Sequence, residues 1–306
     1  MNDISILKTE ERNEQSTNID TLSIENILKM INDEDSTVAN AVEQVIPKIT
    51  EAVDTISESL KKGGRIIYVG AGTSGRIGIM DSVECPPTFS TPPELVQAVI
   101  AGGDNAFIEA VEGAEDDMEL AVIELIKRKL CSLDIVIGIT ASGRTPFVIS
   151  ALNYAQSIDA KTISLSSNKN SLISDYAKIS IEVDTGPEIL TGSTRMKAAT
   201  AHKLILNMIT TATMIKNGKV YENLMIDLHA SNHKLKERAK NILMTITDIT
   251  KQDAEKYLEK TKYDVKSALV MIKTGVSFEK ANYFIDRADG LVKTAIDLVN
   301  RNQPSL

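Results

Sequence analysis

Apolar residues recur at helical spacing near the start of the chain. Residues 1–19 are polar and irregular, whereas from position 24 to position 31 apolar side chains recur every three or four residues. A second run with the same spacing covers positions 38–56 and is followed by Gly63 and Gly64, which favour helix termination. The pattern predicts an N-terminal arm, one helix and a further long helix before the first strand.

Five short apolar runs follow, and most of them are separated by helical patterns. They are RIIYVG (65–70), LVQAVIAG (95–102), DIVIGIT (134–140), KTISLSS (161–167) and KISIEVD (178–184). A long amphipathic segment from about Thr194 to Ile215 comes after the fifth run. Strands that are apolar nearly throughout and alternate with helices are typical of a parallel sheet covered on both faces. The pattern predicts a doubly wound α/β sandwich.

The strand pattern ends near residue 234, and short helical blocks replace it. Gly275 and Gly290 break these blocks, and Ser277 is a good N-cap residue for the helix that follows it. Their apolar stripes predict a small helical bundle. The predicted organisation is therefore an N-terminal arm with helices, a central sheet domain and an all-helical C-terminal domain, with bounds at 1–50, 51–222 and 223–306.

Composition narrows the classes of function. The chain has 306 residues and a net charge of −8, and no segment concentrates Lys and Arg, which argues against nucleic-acid binding. No signal-peptide pattern and no apolar run of about 18 residues occurs, so we expect a cytoplasmic protein without membrane contact.

Cys85 and Cys131 fit no disulfide framework, and His229 and His233 form the one histidine pair at i, i+4 spacing, which alone makes a poor metal site. We expect neither a metal nor an organic cofactor.

The loop after the first predicted strand has the composition of an anion-binding site. It reads GAGTSGRIG (70–78), and a helix is predicted to begin near Ser74 or Gly75. Glycines let the backbone approach an anion, hydroxyls donate to it, and the helix N-terminus adds partial positive charge. The GxGxxG spacing also occurs in dinucleotide sites, but the second predicted strand ends in AGG (101–103) without an acidic residue. The candidate phosphate contacts are Gly72, Thr73, Ser74, Gly75 and Arg76.

The loop after the third predicted strand is the second candidate. It reads TASGRTP (140–146), and ligands of parallel sheets bind at such carboxyl ends, near a reversal in strand order. An alternative is that Thr145 caps a helix and Pro146 occupies its first position, which leaves the other hydroxyls unexplained. The candidate contacts here are Thr140, Ser142, Gly143, Arg144 and Thr145.

These loops resemble the sugar isomerase (SIS) family, in which a Ser/Thr-rich loop grips the phosphate of a phosphosugar. Longer runs are similar to the N-acetylmuramic acid 6-phosphate etherase branch of that family: 70–103, AVEGAEDD (110–117), GITASGRTPFV (138–148) and PEILTGSTRMKAATAHK (187–203). The resemblance implies a SIS sandwich, a ubiquitin-associated-like helical tail and a homodimer with its sites near the subunit contact. It also implies a phosphorylated amino sugar as substrate and a role in bacterial peptidoglycan salvage.

The same resemblance assigns two catalytic carboxylates. They fall on Glu84 of SVECPPTF and Glu115 of VEGAEDD. The implied lyase reaction eliminates D-lactate from carbon 3 and adds water, which needs an acid and a base at different protonation levels. We assign the acid to Glu84, because Cys85, Pro86, Pro87 and Phe89 would form a less polar wall beside it that raises its pKa, and Glu115 is then the base or its partner. A solvated acidic turn is the alternative explanation of Glu115.

A third segment supplies further candidates for the sugar phosphate or the lactyl carboxylate: Thr191, Ser193, Thr194, Arg195 and Lys197. Ordinary helix capping and surface charge would also explain them. Arg76 and Arg144 would contact substrate, face solvent or lie at a subunit interface. Cys85 has no histidine nearby in sequence to activate it, so we expect a packing role.

Two other functions share these loops. A phosphosugar isomerase would use a base at carbon 2 but no acid at carbon 3. A non-catalytic sugar-phosphate sensor, as in the related glucokinase regulatory protein, would keep the loops without turnover. The intact motifs around Glu84 and Glu115 favour the etherase.

Overall fold

A computed structural model describes residues 7–227 and 233–302. The chain divides into two compact units. The first comprises Met1–Val83 and Pro93–Thr210, and the second comprises Glu84–Pro92 and Thr211–Leu306. His229, one of the histidine pair considered above, lies outside the described residues.

The first unit contains a five-stranded parallel sheet, as the apolar runs predict. Its strands are β1 (Ile66–Gly70), β2 (Val96–Ile100), β3 (Ile135–Ile139), β4 (Lys161–Ser166) and β5 (Ile179–Glu182). Their order is β2-β1-β3-β4-β5, and every neighbouring pair is parallel. The order reverses between β1 and β3, so the loops that follow these adjacent strands meet at the switch point where α/β sheets bind ligands.

Helices pack on this sheet. The helices that precede, separate or follow these strands are α1 (Ile24–Ser36), α2 (Val38–Glu43), α3 (Ile46–Lys61), α4 (Gly72–Phe89), α5 (Met118–Lys127), α6 (Pro146–Ser157) and α7 (Lys197–Lys216). The buried side chains of Ile67, Val69 and Val136 form a core with residues of α5 and α6. Tyr68 points the other way, and its hydroxyl donates to Asp81 of α4 over 2.8 Å. The predicted α/β sandwich is therefore confirmed.

The long helix predicted over 38–56 is wrong in one respect, since two helices cover this region. Pro47 lies in the first turn of α3, and α2 ends at Glu43, four residues before it. In a continuous helix the proline ring would clash with the carbonyl of Glu43 and leave it without a donor. At the start of α3 the missing N–H costs nothing, so the helix restarts there.

The second unit is helical, apart from the short antiparallel pair β6 (Val220–Tyr221) and β7 (Leu224–Met225). Its helices are α8 (His233–Thr247), α9 (Lys251–Lys260), α10 (Val265–Thr274), α11 (Phe278–Arg287) and α12 (Val292–Asn302). The predicted breaks are confirmed: Gly275 ends α10 in the left-handed region, and Ser277 caps α11 by accepting from the N–H of Lys280. Leu258, Leu269 and Val299 belong to one buried core.

Within the described ranges, no helix combines the length and the apolar character that crossing a membrane requires. Cys85 is buried, in agreement with the predicted packing role, and Cys131 is exposed.

Candidate functional site

The two candidate loops lie side by side because β1 and β3 are neighbours in the sheet. The β1 loop leads directly into α4, which begins at Gly72, two residues earlier than the predicted start. The β3 loop leads into α6, which begins at Pro146. Both loops therefore present a helix N-terminus, with its unpaired N–H groups, at the same edge of the sheet.

A cavity of about 240 Å³ opens between these loops, and we call it the loop cavity. Most of its lining residues are predicted site residues. It is lined by Glu10, Ala71, Gly72, Thr73, Ser74, Glu115, Thr140, Ala141, Ser142 and Thr194. The lining contains five hydroxyl side chains, two carboxylates and no Lys or Arg, so an anion here would be held by hydroxyls and backbone N–H groups.

The hydroxyls of the β3 loop form a connected cluster. Thr140 Oγ1 lies 2.7 Å from Thr145 Oγ1 and 3.2 Å from Ser142 Oγ, and the N–H of Arg144 donates to Ser142 Oγ over 3.3 Å. Thr145 occupies the N-cap position of α6, but its side chain accepts no capping hydrogen bond. The capping alternative therefore does not account for Thr145, whose hydroxyl is directed to Thr140 instead.

Gly143 explains how this loop turns. It has a φ of +72°, and a Cβ at this position would lie 2.3 Å from Ser171 Oγ. A side chain would therefore be strained in the left-handed region and would also displace the neighbouring loop. Gly143 shapes the loop rather than lining the cavity.

Glu115 lies where two cavities meet. It belongs to a 3₁₀ turn, Ala114–Asp116, and its side chain is exposed. It lines the loop cavity and also a second cavity of about 220 Å³ whose wall includes Arg76, Val111 and Glu112. Exposure agrees with the solvated-turn alternative, but the position beside the hydroxyl cluster also suits a residue that acts on a bound sugar.

Glu84 is the other predicted catalytic residue. It is an exposed residue of α4 and falls in the second compact unit, and neither cavity around Glu115 includes it in its lining. Cys85 and Phe89 are buried, whereas Glu84 is exposed. Pro86 is half-buried and Pro87 is exposed, so the predicted apolar wall of Cys85, Pro86, Pro87 and Phe89 does not bury the Glu84 side chain among the described residues.

Two of the predicted cationic contacts have protein partners. The Arg76 guanidinium donates to the carbonyl oxygens of Ala106, Phe107 and Glu109 over 2.8, 3.0 and 3.2 Å, and so holds the loop after β2. Lys197 is buried, and its Nζ forms an ion pair with Glu34 of α1. Both side chains hold distant segments of the chain together.

The remaining predicted residues do not line the loop cavity. Gly75 is buried in the first turn of α4, and Arg144 is half-buried. Thr191 is exposed, and the backbone N–H of Ser193 donates to the carbonyl of Leu190 in a turn that precedes α7. Of the third segment, Thr194 alone reaches the lining.

Sequence reasoning missed two carboxylates, Glu188 and Glu10. The side chain of Glu188 is fully buried and accepts hydrogen bonds from the N–H groups of Lys197 and Ala198 over 2.9 and 3.0 Å. Burial raises the pKa of Glu188, while the two N–H groups act in the opposite direction. Glu188 therefore caps α7 from nine residues upstream. The sequence pattern that could have identified this role is an acidic residue before a predicted helix. Glu10 lies in the segment predicted only as an irregular arm, and no local pattern marks it.

Comparisons with models of known protein families show which domains this chain contains. Three family models match the chain: the glucokinase regulatory protein N-terminal SIS domain over residues 48–156, the SIS domain over residues 111–212, and the C-terminal lid domain of glucokinase regulatory protein over residues 222–281. The SIS match covers β3, β4 and β5, in agreement with the predicted SIS sandwich.

Two similar proteins match nearly the whole chain, and one solved structure matches a part of it. The N-acetylmuramic acid 6-phosphate etherase of Geobacillus sp. strain WCH70 is 53% identical over 290 residues, which is 95% of this chain and 98% of that protein. The protein of the same name from Bacillus subtilis strain 168 is 53% identical over 291 residues, with 95% and 96% covered. A solved phosphoheptose isomerase from Francisella tularensis has a TM-score of 0.48 and 22% identity, covering 65% of this chain and 99% of that chain.

Proposed function

This chain belongs to the N-acetylmuramic acid 6-phosphate etherase family, and from that premise we propose that it removes D-lactate from N-acetylmuramic acid 6-phosphate with Glu115 and Glu84 as its acid–base pair. One observation carries the proposal: Glu115 lines the same cavity as hydroxyls from both phosphate-type loops. A phosphosugar held by those hydroxyls would present its ring carbons to a carboxylate.

The phosphate belongs with the hydroxyl-rich side of the loop cavity. Thr73 and Ser74 lie in the first turn of α4, where backbone N–H groups have no helical partner. Thr140 and Ser142 add hydroxyl donors from the β3 loop. Because no Lys or Arg lines the cavity, charge-assisted hydrogen bonds from hydroxyls and N–H groups would supply the affinity for phosphate.

The chemistry follows from the weakness of an ether as a leaving group. Opening of the sugar ring exposes an aldehyde at carbon 1, which acidifies the proton on carbon 2. A base removes that proton, the bond between carbon 3 and the lactate oxygen breaks, and an acid protonates the departing oxygen. Water then adds at carbon 3 to give N-acetylglucosamine 6-phosphate. This sequence makes the enzyme a carbon–oxygen lyase.

We assign the base to Glu115 and the acid to Glu84. The first role is supported by Glu115 lining the same cavity as Thr140 and Ser142, whereas the assignment of Glu84 rests on its motif. A homodimer, a cytoplasmic location and a role in peptidoglycan salvage complete the proposal, and each rests on the family.

The role of Glu115 is tested by measuring lactate release from N-acetylmuramic acid 6-phosphate. Glu115→Gln should lower kcat by about 10²- to 10⁴-fold, because a positioned acid or base contributes that much. Asp116→Asn is the matched control, since Asp116 is an exposed neighbour in the same turn and lines neither cavity, and it should retain wild-type kcat. A Glu115→Gln enzyme with a near-normal rate contradicts the role of Glu115. Absence of lactate from the wild-type protein contradicts the function and favours an isomerase or a sensor.

A further inference from the structure

The loop cavity contains a carboxylate that the proposed chemistry does not use. Glu10 lies in the N-terminal arm and is half-buried. It lines the loop cavity together with residues of the two phosphate-type loops. Within the described ranges its carboxylate accepts no hydrogen bond and pairs with no cation. An unpaired, partly desolvated carboxylate is unfavourable unless a donor satisfies it, so the position suits a ligand.

The arm that carries Glu10 is fixed to the sheet unit on both sides of this residue. Thr9 is buried, its N–H donates to Asn168 Oδ1, and Asn168 Nδ2 donates to Thr9 Oγ1 over 3.1 Å. The same Nδ2 donates to the carbonyl of Ala141 in the β3 loop. Six residues after Glu10, Ser16 Oγ donates to the carbonyl of Ile189 over 2.7 Å. These contacts place the arm at the rim of the loop cavity.

Gly192 leaves the space that the Glu10 carboxylate occupies. It has a φ of +75°, and a Cβ there would come within 3.0 Å of Glu10 Oε2. The carboxylate therefore lies directly against the backbone of the loop that precedes α7. That loop also provides Thr194 to the cavity. Glu10 thus lies against this loop and forms part of the wall of the loop cavity.

Charge decides which part of a sugar phosphate Glu10 meets. A phosphate and a lactyl carboxylate are both anionic, carry no donor at neutral pH and would be repelled by Glu10. Sugar hydroxyls are neutral donors, and a hydrogen bond to an ionised carboxylate is of the stronger kind. We propose that Glu10 is a substrate-binding residue that accepts a hydrogen bond from a sugar hydroxyl and orients the ring while the hydroxyl-rich loops hold the phosphate. This inference rests on the proposed function for the identity of the sugar.

Calorimetric titration of the full-length protein tests the proposal without turnover. The wild type, Glu10→Gln and Glu11→Gln are each titrated with N-acetylglucosamine 6-phosphate and with inorganic phosphate. Glu11 is the matched control, because it lies next in the same arm, pairs with Lys8 at the surface and does not line the cavity. Glu10→Gln should weaken sugar-phosphate binding about 5-fold, because its amide oxygen still accepts a hydrogen bond but the bond is no longer to a charged group. Binding of inorganic phosphate should stay the same or tighten, because a negative charge is removed.

Three results overturn the proposal. In the first, Glu10→Gln binds the sugar phosphate like the wild type. In the second, Glu10→Gln loses affinity for both ligands equally, as a purely structural role predicts. In the third, Glu11→Gln shows the same loss as Glu10→Gln. Lactate release by the wild type is measured in parallel. If the wild type releases no lactate, the etherase function fails, but the difference between the two ligands still decides the role of Glu10.

Discussion

His202 is a buried titratable residue whose environment predicts a pH dependence. It is fully buried in α7, its Nε2 lies 3.0 Å from Ser167 Oγ, and its Nδ1 has no hydrogen-bond partner among the described residues. Burial lowers the pKa of His202 to about 4 from 6.5. The neutral form is therefore favoured in the fold, and the unfolded chain binds the proton more readily.

The stability that His202 contributes is complete above about pH 6.5 and is lost as the pH falls through about 4. The wild type should lose about 3 kcal/mol of unfolding free energy over that range through this residue. His202→Gln keeps a polar atom near Ser167 without titrating, so urea unfolding between pH 4.5 and 7.5 should show a smaller slope. His233→Gln, at an exposed position on α8, should follow the wild type. An unchanged slope in His202→Gln would rule out this role.

Individual site residues were predictable where their surroundings are local. Thr73, Ser74, Thr140 and Ser142 follow buried strands directly, so their place at the carboxyl edge of the sheet follows from the chain pattern. Arg76 and Lys197 were expected to face substrate, but their partners lie about 30 and 163 residues away in sequence. Such partners are fixed by tertiary packing. The same holds for Glu10, which lies against Gly192 and shares the loop cavity with residues far along the chain.

The helix α1 is attached to the sheet unit through a buried ion pair. Its side chains are mostly exposed, and Ile24 and Leu28 are 77% and 60% accessible. Burial alone raises the pKa of Glu34. Hydrogen bonds from Lys197 and Asn13 lower it by more in total, so the net pKa lies below its ordinary value. Lys197 is itself buried. Removing the Glu34 charge would leave an unpaired cation in a dry environment.

Glu34→Gln should therefore destabilise the protein by about 3 kcal/mol, whereas an exposed pair should matter little. Glu25→Gln is the control, since Glu25 pairs with Lys29 on the same helix with side chains 75% and 66% accessible. Its loss should cost about 0.5 kcal/mol or less. Urea unfolding at pH 7 measures both. Equal effects of the two substitutions would show that the buried ion pair does not hold α1.

Whole elements followed from the sequence where hydrophobic period and terminators agree. The five strands lie within the predicted runs, because β1 and β3 are buried throughout and apolar at nearly every position, while β4 and β5 keep apolar residues at alternate positions. Gly275 ends α10 and Ser277 caps the start of α11, as predicted. The break between α2 and α3 was missed because the apolar spacing continues across it, and only Pro47 marks the interruption.

At the scale of the whole molecule, strand order determines where the two phosphate-type loops lie, while the arrangement of the two carboxylates depends on more than local pattern. The reversal between β1 and β3 brings the two loops together, and Glu115 joins them from the segment after β2. Glu84 belongs to the other compact unit, so its approach to a sugar held in the loop cavity remains a prediction from its motif.

The proposed reaction breaks the bond between carbon 3 of the sugar and the lactate oxygen and places an oxygen from water on carbon 3. The most direct test is to convert N-acetylmuramic acid 6-phosphate in ¹⁸O-labelled water and to locate the label by fragmentation mass spectrometry. Cleavage between carbon 3 and oxygen predicts unlabelled lactate and a labelled hydroxyl on carbon 3 of the amino sugar. Label in the lactate, with none at carbon 3, would mean that the other carbon–oxygen bond breaks, and would contradict the account.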